Sequence, residues 1–241
     1  MTGCRGGKRQ MAKTRAAIKR ALDVIMAAGG LLVLMPVFVS LALIILWREG
    51  SPVLFSQTRV GLRGRRFRIW KFRTMRPANG AAITAAGDTR ITRIGSRLRK
   101  YKLDELPQLF NVLQGDMSLV GPRPEIPEYV ESRAPIWRDV LQVRPGITDL
   151  ASLVYRDEEE LLGASADPAR LYRERILPLK LQLNLSYLRS RSLARDLTLI
   201  WLTIRYSVWR KGFDPDLIQK TFGSGAGHDT RFHSFSSAIN R

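Results

Sequence analysis

The stretch "YKLDELPQLFNVLQGDMSLVGPRPE", Tyr101 to Glu125, decides how this chain is read. Two adjacent carboxylates, Asp104 and Glu105, stand before Pro107, an amphipathic run follows, and the stretch ends on Arg123 held between Pro122 and Pro124. Leu106, Leu109, Phe110 and Leu113 recur at i, i+3, i+4 and i+7, and Gly115 stands where a helix should end, so the spacing predicts a helix starting near Asp104. As N-cap, Asp104 would accept from free backbone N–H groups, and Pro107 is tolerated in a first turn that needs no donor. A helix N-terminus also attracts phosphate, and a carboxylate fixed there would lie beside a bound phosphorus centre. Aspartate can attack phosphorus, and a second carboxylate holding Mg2+ would let two anions meet. The spacing alone leaves cap and catalyst both open.

The whole chain narrows the choice. It has 241 residues, 40 Lys plus Arg against 21 Asp plus Glu, and a formal charge of +19. That is enough for one compact domain with appendages, and it predicts an anionic partner: nucleic acid, an acidic membrane face or a phosphorylated substrate. The single cysteine, Cys4, excludes a disulfide framework and fits a reducing compartment. Val24 to Trp47, "VIMAAGGLLVLMPVFVSLALIILW", is an apolar run long enough for a bilayer core of ~30 Å. Basic residues crowd both flanks: Lys13, Arg15, Lys19 and Arg20 before it, and Arg48, Arg59, Arg63 and Arg65 after it. Loops rich in Lys and Arg stay inside, so two such flanks favour a helix that enters and returns, bent at Pro36, over a span. Kinked spans exist as well, and re-entry is preferred only slightly.

After Ser51 the composition becomes mixed. "PVLFSQTRVG" and "RRFRIWKFRTM" predict a β-hairpin turning at Leu62 to Arg65, and Ala78 to Asp88 predicts a loop or lid. Ile94, Leu98 and Tyr101 predict a short basic helix. Beyond "VRPGIT" the chain reads as mainly helical, ending in a segment whose Leu193, Leu197, Ile200, Trp201 and Ile204 share a face, flanked by arginines and by Trp209. Such a helix is either core or interfacial on lipid. The Gly/Ser-rich end, with His228 and His233, predicts disorder. Arg123 between prolines, and Arg144 immediately before another, present rigid forks suited to a pyrophosphate; the plainer alternative is an exposed connector.

At this point the motifs resemble a known family. "KRALD" at Lys19 to Asp23, "RVGLRGRRFRIWKFRTM", "DTRITRIGSRLRKYKLDELPQLFNVLQGDMSLVGPRPE" and "RPGIT" together look like the bacterial sugar transferases, the monotopic phosphoglycosyl transferases in their small form. The match covers Lys19 to about Ala151, with a looser echo in the C-terminal helices. The resemblance implies transfer of a sugar 1-phosphate from a nucleoside diphosphate sugar, usually a UDP-sugar, to polyprenyl phosphate, releasing UMP. It implies that Asp104 is the nucleophile, that Asp104 and Glu105 hold Mg2+, and that Glu105 handles protons. Arg123 and Arg144, with Lys71, Arg73, Pro122 and Pro124, are implied in substrate binding, as are Lys19, Arg20 and Asp23, which match the motif where the chain meets the membrane. One departure stands out: Met35, where the family often has serine, precedes Pro36.

The resulting expectation is a mixed α/β, mainly helical protein on the cytoplasmic face of a bacterial inner membrane. It comprises a basic tail (1–18), a re-entrant membrane helix (19–50), a cytoplasmic catalytic domain with a small β-hairpin and C-terminal interfacial helices (51–212) and a disordered tail (213–241). The expected partners are the nucleotide sugar, polyprenyl phosphate and inner-membrane lipid, with no nucleic acid and with the oligomeric state, a dimer included, left open. A nucleic-acid binder, suggested by Phe67, Trp70 and Phe72 among arginines, would show no turnover. A silent membrane scaffold is opposed by the intact Asp104 and Glu105 pair.

Overall fold

The computed structural model describes residues 3–77, 84–209 and 215–222. It opens on helix α1 (Gly3–Glu49), which runs through Pro36 without interruption. Its stretch from Thr14 to Glu49, 36 residues, contains an 18-residue window with a mean hydropathy of 2.6 and is long and apolar enough to cross a membrane. Ser40 donates its hydroxyl to the Pro36 carbonyl at 2.8 Å, one turn beyond the proline, so a serine contact exists although none precedes Pro36.

The predicted hairpin is present. Strands β1 (Leu54–Val60) and β2 (Arg66–Phe72) pair antiparallel, Leu54 opposite Phe72 and Val60 opposite Arg66. The basic helix α2 (Arg93–Lys100) starts at Thr92, whose hydroxyl accepts from Gly95 N at 2.9 Å. Of the loop from Ala78 to Asp88, residues 78–83 lie outside the described residues, and Ala86 N donates to the Glu159 carbonyl at 2.7 Å.

Helix α3 (Gln108–Gln114) is locked between hairpin and α1. Asn111 does the first part: its Oδ1 accepts from Trp70 N at 3.1 Å and its Nδ2 donates to the Arg68 carbonyl at 2.8 Å, as a neighbouring strand would. Leu109, Val112 and Met117 do the second, packing with Ala27 and Leu31 of α1 and Ile69 of β2. Phe110, counted in the apolar stripe, is instead 44% exposed and meets Phe38 edge-on at 6.1 Å. The helix ends at Gly115 as expected, with φ 91°, a left-handed conformation natural only to glycine.

A second sheet escaped the sequence pattern. β3 (Ser118–Val120) runs parallel to β4 (Gly146–Thr148) across α4 (Pro135–Val140); strands of three residues carry too little period to be seen. Its backbones cross so closely that a Cβ on Gly146 would sit 2.1 Å from Gly121 N.

The C-terminal third is helical, as predicted: α5 (Leu150–Val154), α6 (Glu158–Gly163), α7 (Pro168–Leu171), a π turn (Tyr172–Ile176), α8 (Leu177–Ser190), α9 (Leu193–Val208) and α10 (Pro215–Phe222). The expected disordered tail from 213 needs correction: Ile218 and Phe222 of α10 are buried against Val120, Leu199 and Leu202, so an apolar pair carries the folded body to 222. His228 and His233 lie outside the described residues. On α9, Leu199 and Leu202 face the core, whereas Leu193, Leu197, Trp201, Ile204 and Val208 form an outward stripe, each between 41% and 61% exposed.

Candidate active site

The chain reaches the two carboxylates through a tight approach. Lys102 adopts a left-handed conformation (φ 58°), Leu103–Glu105 form a 3-10 turn, and Pro107 precedes α3. Asp104 is therefore not the N-cap of α3, which begins three residues later than its apolar spacing suggested and has no side-chain cap. The turn drives both carboxylates inward instead, Asp104 5% and Glu105 7% exposed.

Such burial is costly unless the charges are matched. Glu105 is matched twice: its Oε1 takes Lys71 Nζ at 2.8 Å and Arg123 Nη2 at 2.5 Å, and its Oε2 takes Arg123 Nη1 at 3.3 Å. Burial opposes its charge, but Arg123, Lys71 and Lys102 outweigh that and hold its carboxyl well below the usual carboxylate range. The Glu105 charge in turn pushes the Arg123 guanidinium up, while burial pulls the Lys71 ammonium down. Asp104 is different. Burial pushes its carboxyl up, Lys71 pulls against this, and the Glu105 charge adds to the push. Its Oδ1 is buried with no hydrogen-bond partner among the described residues. The pair thus splits into one carboxylate fixed in charged form and one held more basic with an oxygen to spare, the division of labour expected of paired catalytic acids.

Arg123 is aimed by its neighbours. Its backbone N donates to Asp149 Oδ2 at 3.2 Å, and Gly146 N donates to the Pro122 carbonyl at 3.0 Å. Arg59 Nη1 donates to the Pro124 carbonyl at 3.1 Å, and Tyr172 donates its hydroxyl to Glu125 Oε1 at 2.6 Å. Pro122 and Pro124 thus act through their carbonyls, as anchors of the segment that carries Arg123. In the sequence Arg59 is noted only as part of a basic flank, and Asp149 and Tyr172 not at all; Glu125 ends the quoted stretch, but its hydrogen-bond partner Tyr172 lies 47 positions away.

Glu105 and Arg123 open onto a cleft of about 510 Å³. Arg99, Lys100, Lys102 and Arg156 bring further positive charge to its walls, and Leu106, Leu109 and Ile147 give it an apolar part. Asp149, Asp157, Glu159 and Glu160 line it as well, and Glu159 pairs with Arg99 at 2.5 Å, so the cleft carries both signs of charge. Its Arg123, Lys100 and Lys102 suit a phosphorylated ligand.

Residues 14–210 match the family described as Bacterial sugar transferase. The chain belongs to that family. It is 40% identical over 192 residues to a UDP-glucose:undecaprenyl-phosphate glucose-1-phosphate transferase of Caulobacter vibrioides, covering 77% of this chain and 68% of the relative. It is 38% identical over 196 residues to a UDP-N-acetylgalactosamine-undecaprenyl-phosphate N-acetylgalactosaminephosphotransferase of Aeromonas hydrophila, of which it spans only 43%. It is 37% identical over 215 residues to the Exopolysaccharide production protein PSS of Rhizobium leguminosarum bv. phaseoli, covering 98% of that protein.

Within this bacterial sugar transferase the expected site residues fall into groups. Asp104, Glu105, Lys71 and Arg123 come together. Arg144 does not join them: its Nε donates to the Gly115 carbonyl at 2.8 Å, at the far end of α3. Arg20 sits at that same end, donating to the Val112 and Leu113 carbonyls at 2.6 and 3.2 Å. Asp23 accepts from Ser118 Oγ at 2.7 Å and Leu119 N at 3.2 Å, and Lys19 pairs with Asp196 at 2.6 Å, so both tie α1 to the body. Arg73 donates to the Glu49 carbonyl at 2.6 Å and to that of Gly50, closing the C-terminal end of α1.

No group of three or more metal-ligating side chains occurs among the described residues. Magnesium needs fewer, binding through one or two carboxylates and completing its shell with phosphate oxygens and water. The unpartnered Oδ1 of Asp104 beside Glu105 fits that requirement.

Proposed function

We propose that this protein transfers a sugar 1-phosphate from a UDP-sugar to polyprenyl phosphate at the cytoplasmic face of a bacterial inner membrane. A carboxylate oxygen of Asp104 forms a bond to the phosphorus that bears the sugar, and the bond from that phosphorus to the bridging oxygen breaks, releasing UMP. The sugar phosphate is then carried on Asp104 until an oxygen of polyprenyl phosphate attacks the same phosphorus and displaces the carboxylate. Arg123 and Lys71, fixed by ionised Glu105, neutralise charge on the transferring group. Asp104 and Glu105 would hold Mg2+, whose charge lets anionic nucleophile and phosphate approach. The observation that carries this reading is the buried, unpartnered Asp104 Oδ1 beside a cation-matched Glu105.

Re-entry of α1 is part of the same proposal. The folded body holds α1 near both ends of its apolar stretch, through Arg20 and Asp23 at one end and Arg73 at the other. The interval from Arg20 to Glu49 is about 44 Å of helix at 1.5 Å per residue. A straight span of ~30 Å would put those ends on opposite sides of the bilayer, which one polar body cannot follow. The outward stripe of α9 supports an interfacial seat on the same leaflet.

Intact-protein mass spectrometry tests the chemistry. With UDP-sugar, Mg2+ and no acceptor, the protein should gain one sugar-phosphate and release UMP, and Asp104→Asn should do neither while remaining folded. A turning-over Asp104→Asn protein, checked for deamidation, sinks the nucleophile assignment.

A further inference from the structure

The cleft has a second wall whose chemistry is unlike that of the phosphate-facing one. Besides Arg99, Lys100 and Lys102, the cleft is lined by Ser152 of α5 and by Thr203, Tyr206 and Ser207 of α9, with Arg156, Asp157 and Glu160 among its charged groups. Thr203 and Ser207 are four residues apart, so they share one edge of their helix.

Thr203 is the informative residue. A helical threonine ordinarily returns its hydroxyl to the carbonyl four residues back. Thr14 does so to Gln10 at 3.1 Å, Thr198 to Ala194 at 2.9 Å and Thr221 to Leu217 at 2.7 Å. Thr203 does not: its Oγ1 is buried and has no hydrogen-bond partner among the described residues. A buried hydroxyl left unmatched is costly, and such a group on the wall of a cavity awaits a ligand that satisfies it. Thr203 and Ser207 lie on the flank of α9 between its outward apolar stripe and its buried face of Leu199, Leu202 and Tyr206, so the polar edge is not simply a solvated face. Hydroxyls that both donate and accept, with a carboxylate that accepts, match a ligand carrying neighbouring hydroxyl groups; a phosphate, which offers acceptors only, could take the hydroxyl donors but not meet the carboxylate.

We infer that the α9 wall around Thr203, with Ser207 and Ser152, is the subsite that recognises a vicinal diol of the nucleotide sugar, while the α2 side holds its phosphates. This deepens the transfer reading and rests on it. The diol has two sources, the hexose and the ribose of the nucleotide.

The full-length protein in lipid nanodiscs separates them. Thr203→Val keeps shape and removes the hydroxyl, Thr203→Ser keeps the hydroxyl, and both are measured for UDP-sugar binding and kcat/KM, for inhibition by UDP, and for thermal stability. Thr203→Val should weaken UDP-sugar binding and lower kcat/KM roughly 3- to 10-fold, Thr203→Ser should restore both, and Tm should not fall, because no internal bond is lost. An unchanged Ki for UDP assigns the wall to the hexose; a Ki raised by the same factor assigns it to the ribose. Unchanged binding of both ligands, or a loss that Thr203→Ser does not restore, overturns the subsite. Because binding is read apart from turnover, UDP-sugar that binds without transfer fails the transfer reading while still testing the wall; a protein that binds no nucleotide sugar overturns both.

Discussion

At the N-terminal end of α3, cations meet carboxylates: Arg123 and Lys71 close on Glu105 beside Asp104. At its C-terminal end, about 10 Å along the helix, Arg20 and Arg144 meet backbone, donating to the carbonyls of Val112, Leu113 and Gly115. One end gathers buried opposite charges whose balance is chemical. The other uses guanidinium groups as a C-cap, placed where the helix dipole is negative. Arginine beside proline, in "GPRPE" and "VRPGI" alike, tells that a fork is held rigidly, and the helix end it reaches decides what it does.

Substitutions can break that comparison. Arg123→Ala leaves Glu105 buried with Lys71 alone and should cost about 3–5 kcal/mol, with loss of transfer; denaturant midpoints and initial rates check it. A stable, active Arg123→Ala protein would put the two ends of α3 on the same footing.

Titration sharpens it. The folded-state value of Glu105 is depressed, so its stabilisation is present above the ordinary carboxylate value and is lost as pH falls through the depressed one. The value of Asp104 is raised, so its charge costs stability above that value, and the cost vanishes as pH falls. Activity, which on the proposed mechanism needs Asp104 ionised, should therefore fail on acidification before the fold does, and Asp104→Asn should raise stability at neutral pH. Rate and melting temperature followed against pH test this; coincident midpoints would count against the split pair.

The smallest effect belongs to Arg144. Arg144→Ala removes one bond to a helix end and should cost about 1 kcal/mol, with donor KM little changed. A KM rise matching that of Arg123→Ala would return Arg144 to the phosphate-binding role its motif implies.

How much of this was legible in the sequence follows from range. The hairpin, the basic helix α2, the Gly115 terminus and the adjacent carboxylates are local patterns, and each is where its pattern put it. The start of α3 was misplaced because a left-handed Lys102 and a 3-10 turn override an apolar spacing that continues through them. Asp23 with Ser118, 95 positions apart, and Lys19 with Asp196, 177 apart, are contacts that no local window contains. Thr203 carries no signal at all, since its oddity is a bond it fails to make.

The packing of α1 also bears on how the protein can be handled. Ala27, Leu31 and Ile45 are as buried as anything in the body, and Ile69, Leu109, Val112, Met117, Phe72 and Leu98 close around them. A water-soluble version made by cutting at Ser51 would lay those side chains bare and release the Arg20 cap from the very helix that follows Asp104. The membrane segment is not a tether that can be clipped from a finished enzyme; it is an interior wall of it, and detergent or lipid belongs to the protein's minimal working form.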